Sequence, residues 1–343
     1  LETKDRKAKE GIMKRLSTAV FLLSMLLFTG KAFALDTVKI TNIGHAYWAG
    51  PLYVAQYYKL FEKHGLNAEV TTVKGGSLAF QAALTKSADL TQVTFEHVLK
   101  AASKGQRAVS FFRFGKAPAN NIVANNEIMA KAKGKSVEER IRALKGARVA
   151  VPSSGGSNEK MLEMLASVYG LDMGTVKRLY LGGDPGSYVA AFKANQIDAA
   201  VYAEPVGLLV SKAHLGGTLL NVIKGEEPRF NDVIFLTLVA HPDIIKEKAD
   251  ILRKVCAAYD EALEMMHKQP EKGIAAMAKE FPTLSAEDNA SIYNAMLPTW
   301  PENGKMNIEQ AKRTMAYMTA LGDLDVKANF DPSSLFSNEL QPK

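Results

Sequence analysis

Residues 148–170 read RVAVPSSGGSNEKMLEMLASVYG. Val149, Ala150 and Val151 form a short apolar run that Pro152 halts, and five small polar or glycine residues follow. Met161, Met164, Leu165 and Val168 then recur at helical spacing, and Gly170 stands where a C-terminal glycine cap belongs. The pattern predicts a strand that delivers a Ser/Gly loop to the start of a helix. Such a junction leaves backbone N–H groups without intrahelical partners at the positive end of the helix dipole. Ser153, Ser154 and Ser157 add hydroxyls to it. This is a seat for an anion, and it is equally an ordinary helix start.

Working outward, the same unit recurs. Downstream come a strand over Val176 to Leu181, the loop Gly182-Gly183-Asp184-Pro185-Gly186 and a helix ending at Ala194. A strand over Ile197 to Tyr202, the turn Ala203-Glu204-Pro205, another helix and a strand over Leu219 to Ile223 complete the series. Upstream, Thr37 to Ile43 is strand-like. The stretch Gly44 to Leu66 reads as a helix burying Leu52, Ala55, Gln56, Leu60 and Phe61 and stopped by Gly65. Asn67 to Val73 alternates as a strand, and Lys74-Gly75-Gly76-Ser77 opens a helix over Leu78 to Lys86. Ala88 to Val93 is a third strand, Thr94-Phe95-Glu96-His97 opens the next helix, and Arg107 to Phe114 is a fourth strand. Asn121 to Ala124 then leads away into a new unit, and Lys131 to Arg142 is a charged, solvated helical segment.

Two series of strand, Gly/Ser loop and helix predict two α/β lobes, each a mostly parallel sheet flanked by helices. Asp232 to Ala240 reads as a strand crossing back, so the hinge has two crossover segments. The expected division is residues 35–118 and 231–343 in lobe 1 and 119–230 in lobe 2. The tail is helical over Pro242 to Gln269, Pro270 to Phe281, Ser285 to Leu297 and Ile308 to Leu321, and its methionines read as core packing.

Residues 13–34, MKRLSTAVFLLSMLLFTGKAFA, have the form of a cleavable secretory signal: Lys14 and Arg15, an apolar stretch too short for a membrane span, and Ala32-Phe33-Ala34 at the cut. Residues 1–12 read as upstream sequence, with Met13 the start and Leu35 the first mature residue. With no cysteine near the cut, a lipid anchor is not expected. The net charge of +7 includes seven basic and three acidic residues in positions 1–34, so the remainder is only about +3 and dispersed. A nucleic-acid surface is not expected from it. Cys256 is the single cysteine, which excludes an internal disulfide. Six scattered histidines show no metal-ligand spacing, and neither metal nor cofactor is expected. Ser157-Asn158-Glu159-Lys160 matches S-x-x-K, but the companion S-D-N and K-T-G motifs and G-x-S-x-G are absent, so a serine hydrolase is disfavoured and no enzyme is expected.

Five stretches together resemble a known family: PLYVAQYYKLFEKHGLNAEV (51–70), GGS (75–77), ALTKSADLTQV (83–93), LKGARVAVPSSGGS (144–157) and AAFKANQIDAAVYAEP (190–205). The chain resembles the periplasmic solute-binding proteins of ABC importers, in the group for nitrate, taurine, alkanesulfonates and thiamine-precursor pyrimidines. The resemblance covers Val38 to about Val239. It implies a two-lobed periplasmic binding protein of type II, a monomer that closes on a small molecule and hands it to a membrane permease. The related pyrimidine synthases share the fold but carry a cysteine-rich motif, which a single cysteine cannot form.

By position, the resemblance places the ligand among Tyr47, Trp48, Gly76, Ser77, Glu96 and His97 of lobe 1 and Ser153, Ser154, Ser157, Asp184 and Glu204 of lobe 2. Each follows a strand, where open parallel sheets bind ligands. Arg113 ends the fourth strand and is set to grip a carboxylate or sulfonate, or to pair with Glu96 or Glu204. Glu204 ends a buried strand, so its carboxylate needs solvent, a protein cation or a ligand N–H. His45 and His97 are alternative donors. The expected ligand is a sulfonate-, taurine- or nitrate-like anion or zwitterion. A thiamine-precursor pyrimidine or aromatic acid, or ligand sensing for a membrane receptor, is the alternative.

Overall fold

Two apolar runs that carry the chain between its halves lie antiparallel to their neighbours, and each sheet is completed by one of them. The structure is a computed structural model that describes residues 34–320, 324 and 331–342. Apart from Ala34, the secretory signal read over 13–34 lies outside the described residues.

The first sheet contains β1 (Asp36–Asn42), β2 (Leu66–Thr72), β3 (Leu90–Thr94), β4 (Val109–Gly115) and β10 (Leu236–Ala240), in the order β2-β1-β3-β10-β4. The second contains β5 (Asn120–Asn125), β6 (Arg148–Val151), β7 (Lys177–Tyr180), β8 (Ala199–Ala203) and β9 (Gly216–Leu220), in the order β7-β6-β8-β5-β9. The two orders have one topology. β1 pairs parallel with β2 and β3, and β6 pairs parallel with β7 and β8. β10 inserts antiparallel between β3 and β4, and β5 inserts antiparallel between β8 and β9. Each sheet thus borrows the strand by which the chain arrives from the other lobe, which ties the lobes together at the hinge. The hinge segments run side by side: Val233 N donates to Lys116 O at 3.1 Å and Phe235 N to Gly115 O at 3.2 Å.

The parallel strands are joined by helices because a parallel partner cannot be reached by a tight turn. β3, β5, β8 and β10 are almost wholly buried, as interior strands covered on both faces are. Several expected elements are divided. The helix read between Gly44 and Leu66 is a single turn at Tyr47–Ala49, a helix over Gly50–Tyr57 and another over Leu60–Lys63. The break falls at Lys59, which adopts left-handed backbone at φ 54°, and it leaves Gln56 exposed rather than buried. The charged segment near 131–142 divides at Gly134, and Ser136 with Glu139 forms a capping box on its second helix. The tail helices pack on lobe 1: Trp300 Nε1 donates to Trp48 O at 3.3 Å, and a Cβ at Gly50 would come within 2.6 Å of the Trp300 ring.

Candidate functional site

The C-terminal ends of the parallel strands of both lobes face one another, and the lobes touch along a seam. Tyr47 N donates to Glu204 O at 3.3 Å. A Cβ built on Gly183 of lobe 2 would lie 3.4 Å from Gly44 Cα of lobe 1, and one on Gly75 would lie 2.9 Å from Ser153 Oγ. Lys212 pairs with Asp288 across the same seam.

Between these contacts lie two small cavities, of about 40 and 30 Å³. Ile43, Trp48, Asn120, Ser157 and Asn158 wall both. The larger adds Gly76, His97, Ser153 and Tyr202, and the smaller adds Thr94 and Phe235. Neither has a lysine or arginine in its wall among the described residues. Wider grooves, such as that of about 500 Å³ along β1 and β2, belong to one lobe.

Three helices begin at this cleft: Gly76–Leu84 and Phe95–Ser103 from lobe 1, and Ser157–Tyr169 from lobe 2. None has a side-chain cap on its first turn. Their dipoles direct partial positive charge at the cavity from both sides. The Ser153–Ser157 loop is nonetheless partly satisfied from within. Glu159 reaches back so that its Oε2 accepts from Gly155 N at 2.6 Å, while its Oε1 accepts from the Tyr180 hydroxyl at 2.9 Å and from Arg178 Nη1 at 3.2 Å. One donor of the loop, Gly155 N, therefore serves a buried carboxylate of the chain itself and is not left for a ligand.

The residues expected at the site divide into two groups. Trp48, Gly76, His97, Ser153 and Ser157 come together around the cavities. The others lie elsewhere or are engaged. Tyr47 is fully buried, its hydroxyl donating to Asn289 Oδ1 and its ring stacked on Phe281 at 4.5 Å. Ser77 and Ser154 are exposed. Asp184 caps the helix Pro185–Lys193, accepting from Ser187 N and Ser187 Oγ at 2.9 Å each. Arg113 is buried at the hinge, where Nη1 donates to Asp232 Oδ1 at 3.3 Å and to Val233 O at 3.4 Å, so it pairs with neither Glu96 nor Glu204. Glu96 is buried beside Thr94, whose hydroxyl donates to it at 3.5 Å. Glu204 accepts from Leu208 N at 3.1 Å and Asn121 Nδ2 at 3.3 Å, and burial raises its pKa above the usual carboxylate range. Lys160, of the S-x-x-K match, donates to Glu163 Oε2 at 2.5 Å.

Asn120, Asn158 and Tyr202 escaped the sequence reading. Asn158 stands within the loop–helix junction itself. Tyr202 is the penultimate residue of β8, two residues before Glu204 in the turn that follows. Its hydroxyl donates to Gly183 O at 2.8 Å, and its ring stacks on Tyr188 at 4.7 Å. Asn120 is the first residue of the second lobe's borrowed strand and carries no pattern of its own.

His97 is the one titratable group in the cavity wall whose pKa is displaced far enough to matter near neutral pH. Burial of the ring, with the Lys100 charge adding to it, pulls the pKa down to about 4. An unfolded histidine titrates near ~6.5. Between these values the unfolded chain binds a proton that the folded chain refuses. Stability from this group is therefore complete above about pH 6.5 and is lost as pH falls toward 4. The expected loss from His97 is about 2 kcal/mol between pH 7 and pH 5. Urea unfolding at the two values should show it, and His97→Gln should reduce the difference by that amount.

Paired five-stranded sheets, reciprocal antiparallel insertions and a polar cleft at the strand ends define the two-lobed periplasmic binding protein fold of type II. The chain belongs to the NMT1/THI5-like family, whose sequence pattern matches residues 48–273. Among solved structures it is similar to the periplasmic nitrate-binding protein NrtA of Synechocystis PCC 6803, with TM-score 0.69 and 15% identity, covering 89% of this chain and 87% of that one. It is also similar to the alkanesulfonate-binding protein SsuA of Xanthomonas axonopodis pv. citri, solved with MOPS bound: TM-score 0.67, 18% identity, 87% and 97% coverage. A relative in Brucella abortus (strain 2308), named only as a binding protein, is 24% identical over 298 residues, 85% of this chain and 84% of the relative.

Proposed function

We propose that the protein captures a small anion or zwitterion between its lobes in the periplasm and delivers it to an ABC permease. Residues 35–118 and 231–343 form one jaw and 119–230 the other. The observation that carries this reading is the meeting of helix starts from opposite lobes, at Gly76 and Ser157, on one cavity walled by Trp48 and a neutral His97. With no lysine or arginine in that wall among the described residues, recognition of negative charge falls to backbone N–H groups, hydroxyls and helix dipoles. Each helix start contributes about 0.3–1 kcal/mol, up to ~2 kcal/mol when partly buried. Micromolar binding needs about 8 kcal/mol, so lobe closure, desolvation and contact with Trp48 supply the remainder. A cavity of about 40 Å³ admits only a few atoms, so seating a solute requires the lobes to part about the hinge.

Sulfonate and nitrate are the first anions to test, because the similar proteins SsuA and NrtA are named for binding them. Thermal melting of the protein with sulfonates, taurine, nitrate, aromatic carboxylates and pyrimidines tests the reading. A ligand at ~100 times its Kd stabilises by about 2.7 kcal/mol. The expected result is a raised Tm with one class of anion or zwitterion. Stabilisation by neutral pyrimidines alone would replace it with the pyrimidine alternative.

A further inference from the structure

His97 carries an acceptor that the protein itself does not use. Thr94 ends β3 and is the N-cap of the helix Phe95–Ser103, and His97 sits in that helix's first turn. Its Nδ1 lies 3.0 Å from Thr94 Oγ1, and the Thr94 hydroxyl itself donates to Glu96 Oε2 at 3.5 Å. A hydroxyl whose single hydrogen is turned to Glu96 can only accept from the ring, so Nδ1 carries the hydrogen. In a neutral imidazole the other nitrogen is then a bare lone pair. That atom, Nε2, is buried and has no hydrogen-bond partner among the described residues. His97 is part of the wall of the larger cavity, together with Ser153, Ser157 and Asn158. Gly76 makes room for it: a Cβ there would come 2.7 Å from Cε1 and 2.9 Å from Nε2. Phe80 holds the ring on another side, with centroids 5.6 Å apart.

A bare anion drawn in by the helix starts would set its own lone pairs against this one. A buried acceptor left unmatched is costly, and a site built around one selects strongly for a ligand that matches it. We propose that His97 Nε2 accepts a hydrogen bond from the bound solute, and that the solute is therefore an anion bearing an O–H or N–H donor beside its charged head. His97 acts as a specificity-determining residue: the helix starts read the charge and Nε2 reads the donor. This rests on the reading of the cleft as an anion site.

The test uses anions that differ only in a hydroxyl or amine: ethanesulfonate against 2-hydroxyethanesulfonate and taurine, and propanoate against 2-hydroxypropanoate. Calorimetric titration should show the donor-bearing member binding at least about tenfold more tightly in one series, about 1.4 kcal/mol. In His97→Phe the ratio should fall to about one, and His97→Gln, which retains an acceptor, should recover part of it. Equal binding within each series by the wild-type protein overturns the role of His97 and leaves the anion site standing. If none of these anions binds, the anion site itself fails, and this role with it. Long-range 1H–15N spectra of histidine-labelled wild-type protein give a reading that needs no folded variant. The Nδ1–H tautomer is expected for His97 near pH 7, with its Nε2 signal shifted by the donor-bearing ligand. An Nε2–H tautomer overturns the proposal.

Discussion

Gly75→Ala is expected to weaken ligand binding by about tenfold or more, corresponding to ~1.4 kcal/mol, and to hold the lobes apart. Gly75 precedes the helix Gly76–Leu84 with φ +97°, a backbone region that L side chains rarely adopt. Its missing Cβ faces the other lobe, where it would lie 2.9 Å from Ser153 Oγ and 3.2 Å from Ser153 Cβ. The hydroxyl can rotate away, but the Cβ behind it moves only with the loop or the lobe. Two costs are combined here, local strain present in every state and a clash present only when the lobes meet. The second should separate in a double-mutant cycle, because Ser153→Gly removes both contacting atoms while leaving φ at residue 75 unchanged. Recovery of affinity in the double variant, with small-angle scattering showing restored compaction, is the expected outcome. Affinity that stays low in the double variant would assign the effect to strain in the loop and not to closure.

Glu159→Ala is expected to cost about 3 kcal/mol of stability and to loosen the loop that opens the second lobe's site. Glu159 is 3% exposed and holds Gly155 N, the Tyr180 hydroxyl and Arg178 together. Its removal leaves a loop amide and a phenol without their acceptor, and leaves Arg178, whose side chain is 39% exposed, with Glu163 as its remaining partner. The neighbouring Glu163, at 27% side-chain exposure and also within reach of Arg178, is the control: Glu163→Ala should cost under ~1 kcal/mol. Urea unfolding measures both, and hydrogen exchange at Gly155 should accelerate in the Glu159 variant alone. Equal losses in the two variants would remove the special role of the buried carboxylate.

The fold was legible because its signals are periodic and local. Apolar runs such as Val149 to Val151, each followed by a Ser/Gly junction and a helical face, repeat through both halves and dictate parallel strands with helical crossovers. The direction of the two borrowed strands was not legible. Asn120–Asn125 and Leu236–Ala240 are almost wholly buried short segments, and nothing local in them distinguishes a parallel from an antiparallel neighbour. The break at Lys59 was equally hidden, because a lysine in left-handed backbone leaves no mark comparable to a glycine.

At the cleft, chain position was legible and side-chain direction was not. The loops after β1, β2, β3 and β6 do reach the cavity, since strand ends and helix starts follow from the fold. Whether a side chain points into the cavity depends on partners far away in sequence. Tyr47 turns to Asn289, which belongs to the tail, and Arg113 turns to Asp232 in the returning hinge segment. Glu159 shows the opposite case. Its partner Gly155 is four residues away, inside the stretch that decided the fold, yet a carboxylate in a first helical turn reads equally well as a solvated residue favoured by the dipole.

The decisive measurement is calorimetric titration of the protein with a matched pair, 2-hydroxyethanesulfonate and its neutral sulfonamide, repeated in the Gly75→Ala variant. If helix starts from two lobes grip one negative charge, the sulfonate binds with an affinity at least about tenfold above that of the sulfonamide, and the variant loses the same factor for the sulfonate. Equal affinity for the charged and neutral members, or sulfonate binding untouched by the alanine at position 75, would contradict an anion site closed between the lobes.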